Sequence, residues 1–238
     1  MSNQNNPLGW AENIFELYDD DGISLPLLPC GAGDSGKAPL ISNWQNQSWE
    51  PLELINEFGK NPKLKCVGIP LKPAATGGLV IFDFDGHLAV EHGIQNSCDP
   101  IQAKTWKIGR TTDPDRLKVV FRKPEPWPDL PGKTIIRTGD GQQIEIFWGS
   151  GQCIVAGGHV SSGGEYIWLD GSKPRDVIDI PQEWMTLWME GIKAKPNNST
   201  GAFSHRRSRE ENGEWVDAVP CQFASGRKPT AANQKTGR

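Results

Sequence analysis

Two carboxylates, one residue apart, close the most apolar segment of the chain. Gly78–Gly86 reads GLVIFDFDG, with Leu79–Phe82 running directly into Asp83, Phe84, Asp85 and a turn-forming Gly86. A short apolar run bounded by glycines is the pattern of a buried central strand. Side chains alternate along a strand, so Asp83 and Asp85 share one face and Phe84 takes the other. Like charges that close resist ionising together unless a cation pairs them. Mg²⁺ or Mn²⁺ suits such a pair, because these hard ions take oxygen ligands and often only one or two protein carboxylates plus substrate phosphates. The bland alternative makes both residues strand-end caps of a turn. Further along, Gln143–Phe147 alternates, with Ile144 and Ile146 on one face and Glu145 on the other. Glu145 is therefore a candidate third carboxylate, against the simpler reading of a solvent-facing Glu.

Cationic residues form the second chemical group. Gly31–Lys37 spells G-x-x-x-x-G-K, the beginning of a phosphate-binding loop. The pattern then breaks, since Ala38 replaces the hydroxyl that would meet Mg²⁺ and Pro39 stands where a helix should propagate. Lys37 is retained as a candidate triphosphate contact, its alternative being solvent. In TWKIGRTTDPDRLKVVF, Leu117–Phe121 is strand-like after an Asp113-Pro114-Asp115 turn, and alternation places Arg116, Lys118 and Val120 on one face. Arg110, Arg116 and Lys118 thus form a basic cluster able to meet nucleotide phosphates, or else a solvated strand face. His159, in the Gly157–Gly164 loop, is a candidate donor to a phosphate or a base, or a turn residue with no partner.

The elements that must position these groups follow from the hydrophobic pattern. Helices are expected over Trp10–Tyr18, over Glu50–Phe58 with Pro51 in its first turn, around His87–His92, and over Pro181–Met189 with Trp184, Leu187 and Trp188 on one stripe. Strands are expected at Ile23–Leu28, Cys66–Leu71, Leu79–Asp85, Leu117–Phe121, Gln143–Phe147, Gln152–Ala156 and Glu165–Leu169. The implied fold is α/β: a mixed sheet with packed helices, the acidic strand central and a β-rich second half completing a cleft.

Composition bounds the function. The chain has 238 residues, 36% of them hydrophobic, enough for a sizeable core. No apolar stretch approaches the roughly 18 residues of a membrane span, and the polar start MSNQNNPLGW is unlike a signal peptide, so a cytoplasmic protein without a membrane is expected. Cys30, Cys66, Cys98, Cys153 and Cys221 are scattered and never in a C-x-x-C pair, which indicates neither a disulfide framework nor a zinc site. The formal net charge of −4 is uneven: residues 191–238 carry nine Lys/Arg against four Asp/Glu, giving +5 there and −9 elsewhere. Residues 1–190 are expected to form the catalytic domain, and 191–238 a flexible basic tail or linker that can hold phosphates or remain solvated.

Taken in order, Lys37-Ala38-Pro39 with Trp44, the strand ending Asp83-x-Asp85-Gly86, Ile144-Glu145-Ile146, and His159 with a following Gly and Tyr166-x-Trp168 are similar to the N-terminal primase–polymerase domain of the archaeo-eukaryotic primase superfamily, found on plasmid and phage replication proteins. The resemblance covers roughly residues 10–190. It implies that Asp83 and Asp85, with Glu145 on a later strand, bind two divalent metals, Mg²⁺ or Mn²⁺, for template-directed nucleotidyl transfer. It implies as partners a single-stranded DNA template, dNTP or NTP, and a replicative helicase on another chain or in a missing domain. Relatives usually carry a small-x-His motif; here Arg116-Leu117-Lys118 stands in that place, and a Lys neutralises a triphosphate as a point charge. Two other readings remain open. VIFDFDG also resembles the first motif of haloacid-dehalogenase-type phosphatases, with Asp83 as nucleophile and Asp85 as general acid, although about 80 residues precede it here. Lys118 is also compatible with a catalytically reduced nucleic-acid-binding module.

Overall fold

The acidic strand lies deep in a ten-stranded sheet, flanked on both sides by the strands that carry the other candidate residues. This computed structural model describes residues 25–194 apart from Ser48, Gly59 and Pro128, together with Ile14, Glu210–Glu211 and Glu214–Trp215. The first elements are β1 (Leu28–Ala32), β2 (Ala38–Pro39), α1 (Pro51–Phe58), β3 (Cys66–Pro70), α2 (Pro73–Thr76), β4 (Leu79–Asp85) and α3 (His87–Gln95). They are followed by β5 (Lys107–Arg110), β6 (Asp113–Arg122), β7 (Lys133–Gly139), β8 (Gln142–Trp148), β9 (Gln152–His159), β10 (Gly164–Trp168) and α4 (Gln182–Lys193). The strand order is β2-β1-β3-β9-β10-β5-β6-β4-β8-β7. The chain divides into two units, residues 1–196 and 197–238, and the second contains the strand pair β11 (Glu210–Glu211) and β12 (Glu214–Trp215).

One expectation is corrected by this topology. Helices and strands do combine in one unit, but the sheet is not mixed, because every ladder between these named strands is antiparallel. Short connections dictate three of these ladders: the neighbours β5–β6, β7–β8 and β9–β10 are joined by only two to four residues, whereas a parallel neighbour needs a crossover of about a dozen.

Each face of β4 has its own core. Val80, Phe82 and Phe84 pack with Leu117, Val119, Phe121, Ile144 and Ile146, and α4 closes this layer with Trp184, Leu187 and Trp188. Those α4 positions recur at helical spacing and are at most 4% exposed. Trp184 is the hub, with its ring centroid 5.0 Å from Phe82, 6.0 Å from Phe84 and 4.7 Å from Phe121. On the opposite face, Leu79 and Ile81 join a second core with Val120, Val67, Ile69 and Val155. Asp83 and Asp85 continue that same face toward the strand end, where the apolar packing gives way to a cavity.

Several boundaries differ from the sequence pattern. Of the strand expected over Ile23–Leu28, Ile23 and Ser24 lie outside the described residues; the first described strand begins at Leu28 and runs into the segment expected as loop, and Ala38–Pro39 folds back on it. Asp113-Pro114-Asp115 is not a turn; it opens β6 against β5. Gly157–His159 extend β9 instead of beginning a loop. The helix over Trp10–Tyr18 lies outside the described residues except for Ile14, which is helical and fully buried. Of the expected flexible tail, Gly191–Lys193 instead complete α4, and the rest lies outside the described residues apart from Ala194 and the strand pair.

Candidate active site

The cavity is made by strand register. Within the β6–β4–β8 ladder, Asp83 sits opposite Lys118 on one side and Glu145 on the other, and Asp85 sits opposite Arg116. Directly opposed residues project to the same face, so this register brings three carboxylates and two cations into neighbouring rows. The chain leaves β4 sharply at Gly86, which has φ 118° and donates its N–H to the Asp115 carbonyl. A Cβ there would lie 2.3 Å from Gln142 Oε1, the atom that accepts the Leu88 N–H at 2.8 Å at the start of α3. Gly86 thus ends the acidic strand and lets α3 begin within one residue of Asp85.

A cavity of roughly 420 Å³ is lined by Asp83, Asp85 and Glu145, by Lys37, Arg110 and Arg116, and by His159. Seven of the eight residues singled out in the sequence therefore line one space. The eighth, Lys118, lies just beneath it: its side chain is 9% exposed, with Nζ 3.7 Å from Asp83 Oδ2 and 4.7 Å from the centre of the Tyr166 ring. Burial pushes the Lys118 ammonium toward its neutral form, but attraction to Asp83 together with Tyr166 and Cys153 outweighs this and holds its pKa above the ordinary lysine value. Lys118 is thus a buried, charged counter-ion of Asp83, not a residue on a solvated strand face.

The other carboxylates are also paired. Arg116 forks between Asp85, bonded through an Nη1, and Asp113, reached through Nε at 3.0 Å. Glu145 accepts from Lys133 Nζ at 2.8 Å and from Gln143 Nε2 at 2.6 Å. Asp113 and Lys133 are participants that the sequence reading missed, and Tyr166 entered it as part of a motif without a place beside Lys118. Lys133 and Tyr166 lie on strands whose adjacency no local pattern announces, and Asp113 was hidden inside an apparent turn.

The rest of the lining is rich in donors. Lys37 is carried by the β1–β2 connection, and its backbone carbonyl accepts from Gln152 Nε2 at 2.7 Å. Burial, then the nearby charges of Arg110 and Lys118, lowers the Lys37 pKa. His159 is 4% exposed. Burial, followed by the charges of Arg110, Lys37 and Lys118, depresses its imidazole pKa to about 4, so the ring is neutral near pH 7. The Ser162 backbone N–H donates to Nδ1 at 3.3 Å, which leaves the ring proton on Nε2. That buried Nε2 has no hydrogen-bond partner, nor does the buried Nε of Arg110. Ser161, Ser162 and Thr112 are also part of this lining, with Thr112 Oγ1 donating to Ser162 Oγ at 3.0 Å. The serines lay in a loop whose glycine and serine content gave no means of telling a ligand contact from a turn.

A family model described as bifunctional DNA primase/polymerase, N-terminal, matches residues 18–183. The chain belongs to this family. No curated protein matches it. Membership in the primase/polymerase family carries the general class of activity, DNA priming and polymerisation by nucleotidyl transfer onto DNA from nucleotide substrates. No helix among the described residues is long and apolar enough to cross a membrane.

Primase/polymerase domains typically work with divalent metals, and the donors here are of the right kind: three carboxylates on one sheet face, lining one cavity. As the side chains stand, no three His, Cys, Asp or Glu side chains among the described residues converge to hold an ion. Their charges are instead met by Lys118, Arg116 and Lys133. The donor chemistry fits a hard divalent ion, and the present partners of those donors are the protein's own cations.

Proposed function

We propose that this domain extends a primer along a single-stranded DNA template by metal-dependent nucleotidyl transfer, with unprimed initiation as a second activity of the same site. The observation that carries the reading is that one cavity is lined by three strand carboxylates and, beside them, by cations and neutral donors. Divalent metal held by Asp83, Asp85 and Glu145 would supply charge stabilisation to the attacking 3′-oxygen and the α-phosphate. Lys37, Arg110 and Arg116 bind the triphosphate and orient it toward the carboxylates. His159 presents Nε2–H as a neutral donor to the nucleotide, and Lys118 holds Asp83 in place from below. Template follows the surface beside the cavity, where phosphate contacts are sequence-independent. The natural setting is plasmid or phage replication, together with a helicase provided by another chain or domain.

The test is primer extension on a single-stranded template with dNTPs and Mn²⁺ or Mg²⁺, comparing the wild type with Asp83→Ala/Asp85→Ala. Extension by the wild type and none by a folded double variant is expected. Template binding without extension by either protein would favour the reduced binding module, for which Lys118 is the specific argument. Hydrolysis of a generic phosphate ester that depends on Asp83 would replace the reading with the phosphatase.

A further inference from the structure

The carboxylates that should receive metal are each already paired with a protein cation, and the three cations are held differently. Lys118 is fixed: its side chain is only 9% exposed, paired with Asp83 and packed against the Tyr166 ring. Lys133 reaches Glu145 from the edge strand β7 and has its ammonium 5.1 Å from the Phe147 ring centre. Arg116 differs from both, because its side chain is 36% exposed and itself lines the cavity. Among the described residues its ion-pair partners are two carboxylates, Asp85 and Asp113.

Charge counting sharpens the contrast. Lys37, Arg110 and Arg116 line the cavity with Asp83, Asp85, Asp113 and Glu145, and Lys118 and Lys133, outside the lining, are paired with Asp83 and Glu145, so that five cations stand against four carboxylates while His159 is neutral. A bare divalent cation entering this site meets one more positive than negative charge and competes with Arg116 for Asp85. A metal–triphosphate complex is still anionic, so it is attracted to the same surplus. It also offers Arg116 a replacement partner, and a guanidinium fork matches phosphate oxygens as well as it matches a carboxylate.

We infer that Arg116 is an exchangeable internal counter-ion which makes metal binding at Asp83 and Asp85 depend on nucleotide. Without nucleotide, Arg116 occupies Asp85 and the divalent ion binds weakly. When nucleotide arrives with its metal, Arg116 moves from Asp85 to the triphosphate and the vacated carboxylate takes the metal. This rests on the functional reading above and adds to it an order of binding and a residue that enforces it. The device belongs to this chain's own ion pairs, Asp85 with Arg116 and Arg116 with Asp113.

The test is Mn²⁺ binding followed by electron paramagnetic resonance of the free ion, on the whole chain, with and without a non-hydrolysable dNTP analogue. The analogue is expected to tighten Mn²⁺ binding to the wild type by at least about tenfold beyond the analogue's own affinity for Mn²⁺. In Arg116→Gln, Mn²⁺ alone is expected to bind about three- to tenfold more tightly than to the wild type, the scale of one partly exposed ion pair, and the analogue is expected to bind more weakly. Equal Mn²⁺ affinity of the wild type with and without analogue, in a protein that still extends primers, would overturn the exchange and leave the polymerase reading intact. Mn²⁺ affinity of free Arg116→Gln no higher than wild type would do the same. Absence of Mn²⁺ binding under every condition, together with absence of extension, would overturn both. The wild-type comparison needs no variant, so a misfolded Arg116→Gln protein does not shield the inference.

Discussion

Replacing Lys118 by Met should uncover how much of the fold's stability is tied to the acidic strand. The ammonium lies 3.7 Å from Asp83 Oδ2, with side-chain exposures of 9% for Lys118 and 20% for Asp83. At that distance and an effective dielectric of roughly 20, the attraction is about 4 kcal/mol. Part of it offsets the cost of burying the ammonium, so the net value of the pair is smaller. Lys118→Met leaves Asp83 without its close counter-ion and opposite Glu145 across the ladder, but Lys37 lines the same cavity and water reaches the carboxylate there. We therefore expect a loss of about 2–3 kcal/mol, at the lower edge of what breaking a buried pair costs. Asp83→Asn strands the less accessible partner and should cost as much or slightly more. The double variant Lys118→Met/Asp83→Asn should recover about 2 kcal/mol relative to the sum of the single changes. Urea denaturation in EDTA near pH 7.5, followed by far-ultraviolet circular dichroism, measures all four corners of the cycle. A coupling energy below about 0.5 kcal/mol would refute the assignment of Lys118 as the counter-ion of Asp83.

Other expectations concern the remaining supports of the site. His159 is held at a pKa of about 4 in the fold, against 6.5 ordinarily, so in acid the unfolded chain takes up a proton that the native state refuses. Its contribution is complete above about pH 6.5 and falls as pH drops through that window, by about 2–3 kcal/mol at pH 4.5. His159→Gln should flatten this part of the stability profile, and an equal wild-type-to-variant difference at pH 7.5 and pH 4.5 would count against it. Gly86→Ala forces a side chain at φ 118° and a Cβ 2.3 Å from Gln142 Oε1. It should cost about 1–3 kcal/mol and reduce primer extension even where the variant is folded, whereas unchanged extension would show that the β4–α3 corner does not set the position of Asp85. Trp184→Ala removes the ring that packs on Phe82, Phe84 and Phe121 and should cost about 3–5 kcal/mol in the same denaturation assay. A loss below about 1 kcal/mol would mean that α4 is not the lid of that core.

What could be read from the sequence, and what could not, follows from the range of each signal. Alternation along a strand is local, so the shared face of Asp83 and Asp85 and the opposition of Glu145 to Ile144 and Ile146 were visible, and the structure places them so. The helical stripe of Trp184, Leu187 and Trp188 was visible for the same reason. Which strands lie side by side is not a local property. The mixed sheet was therefore the wrong expectation, and the pairing of Lys118 with Asp83 could not be derived from an alternation that equally allowed a solvated face. Asp113-Pro114-Asp115 carries strong turn chemistry, yet it opens β6 because the β5–β6 connection turns earlier, at Thr111 and Thr112. Lys133 illustrates the limit most clearly, since it reaches Glu145 from the neighbouring edge strand without any motif around it.

The central claim is that Asp83, Asp85 and Glu145 are the metal-holding wall of a nucleotidyl-transfer site. Its most direct test is a crystal of the protein with Mn²⁺ and a non-hydrolysable dNTP analogue, read by anomalous scattering at the manganese edge. The account predicts anomalous density within about 2.0–2.4 Å of the Asp83 and Asp85 carboxylates, with the triphosphate against Lys37, Arg110 and Arg116. Manganese elsewhere on the surface, or a nucleotide bound with Asp83 and Asp85 still paired to Lys118 and Arg116 and no metal beside them, would contradict it.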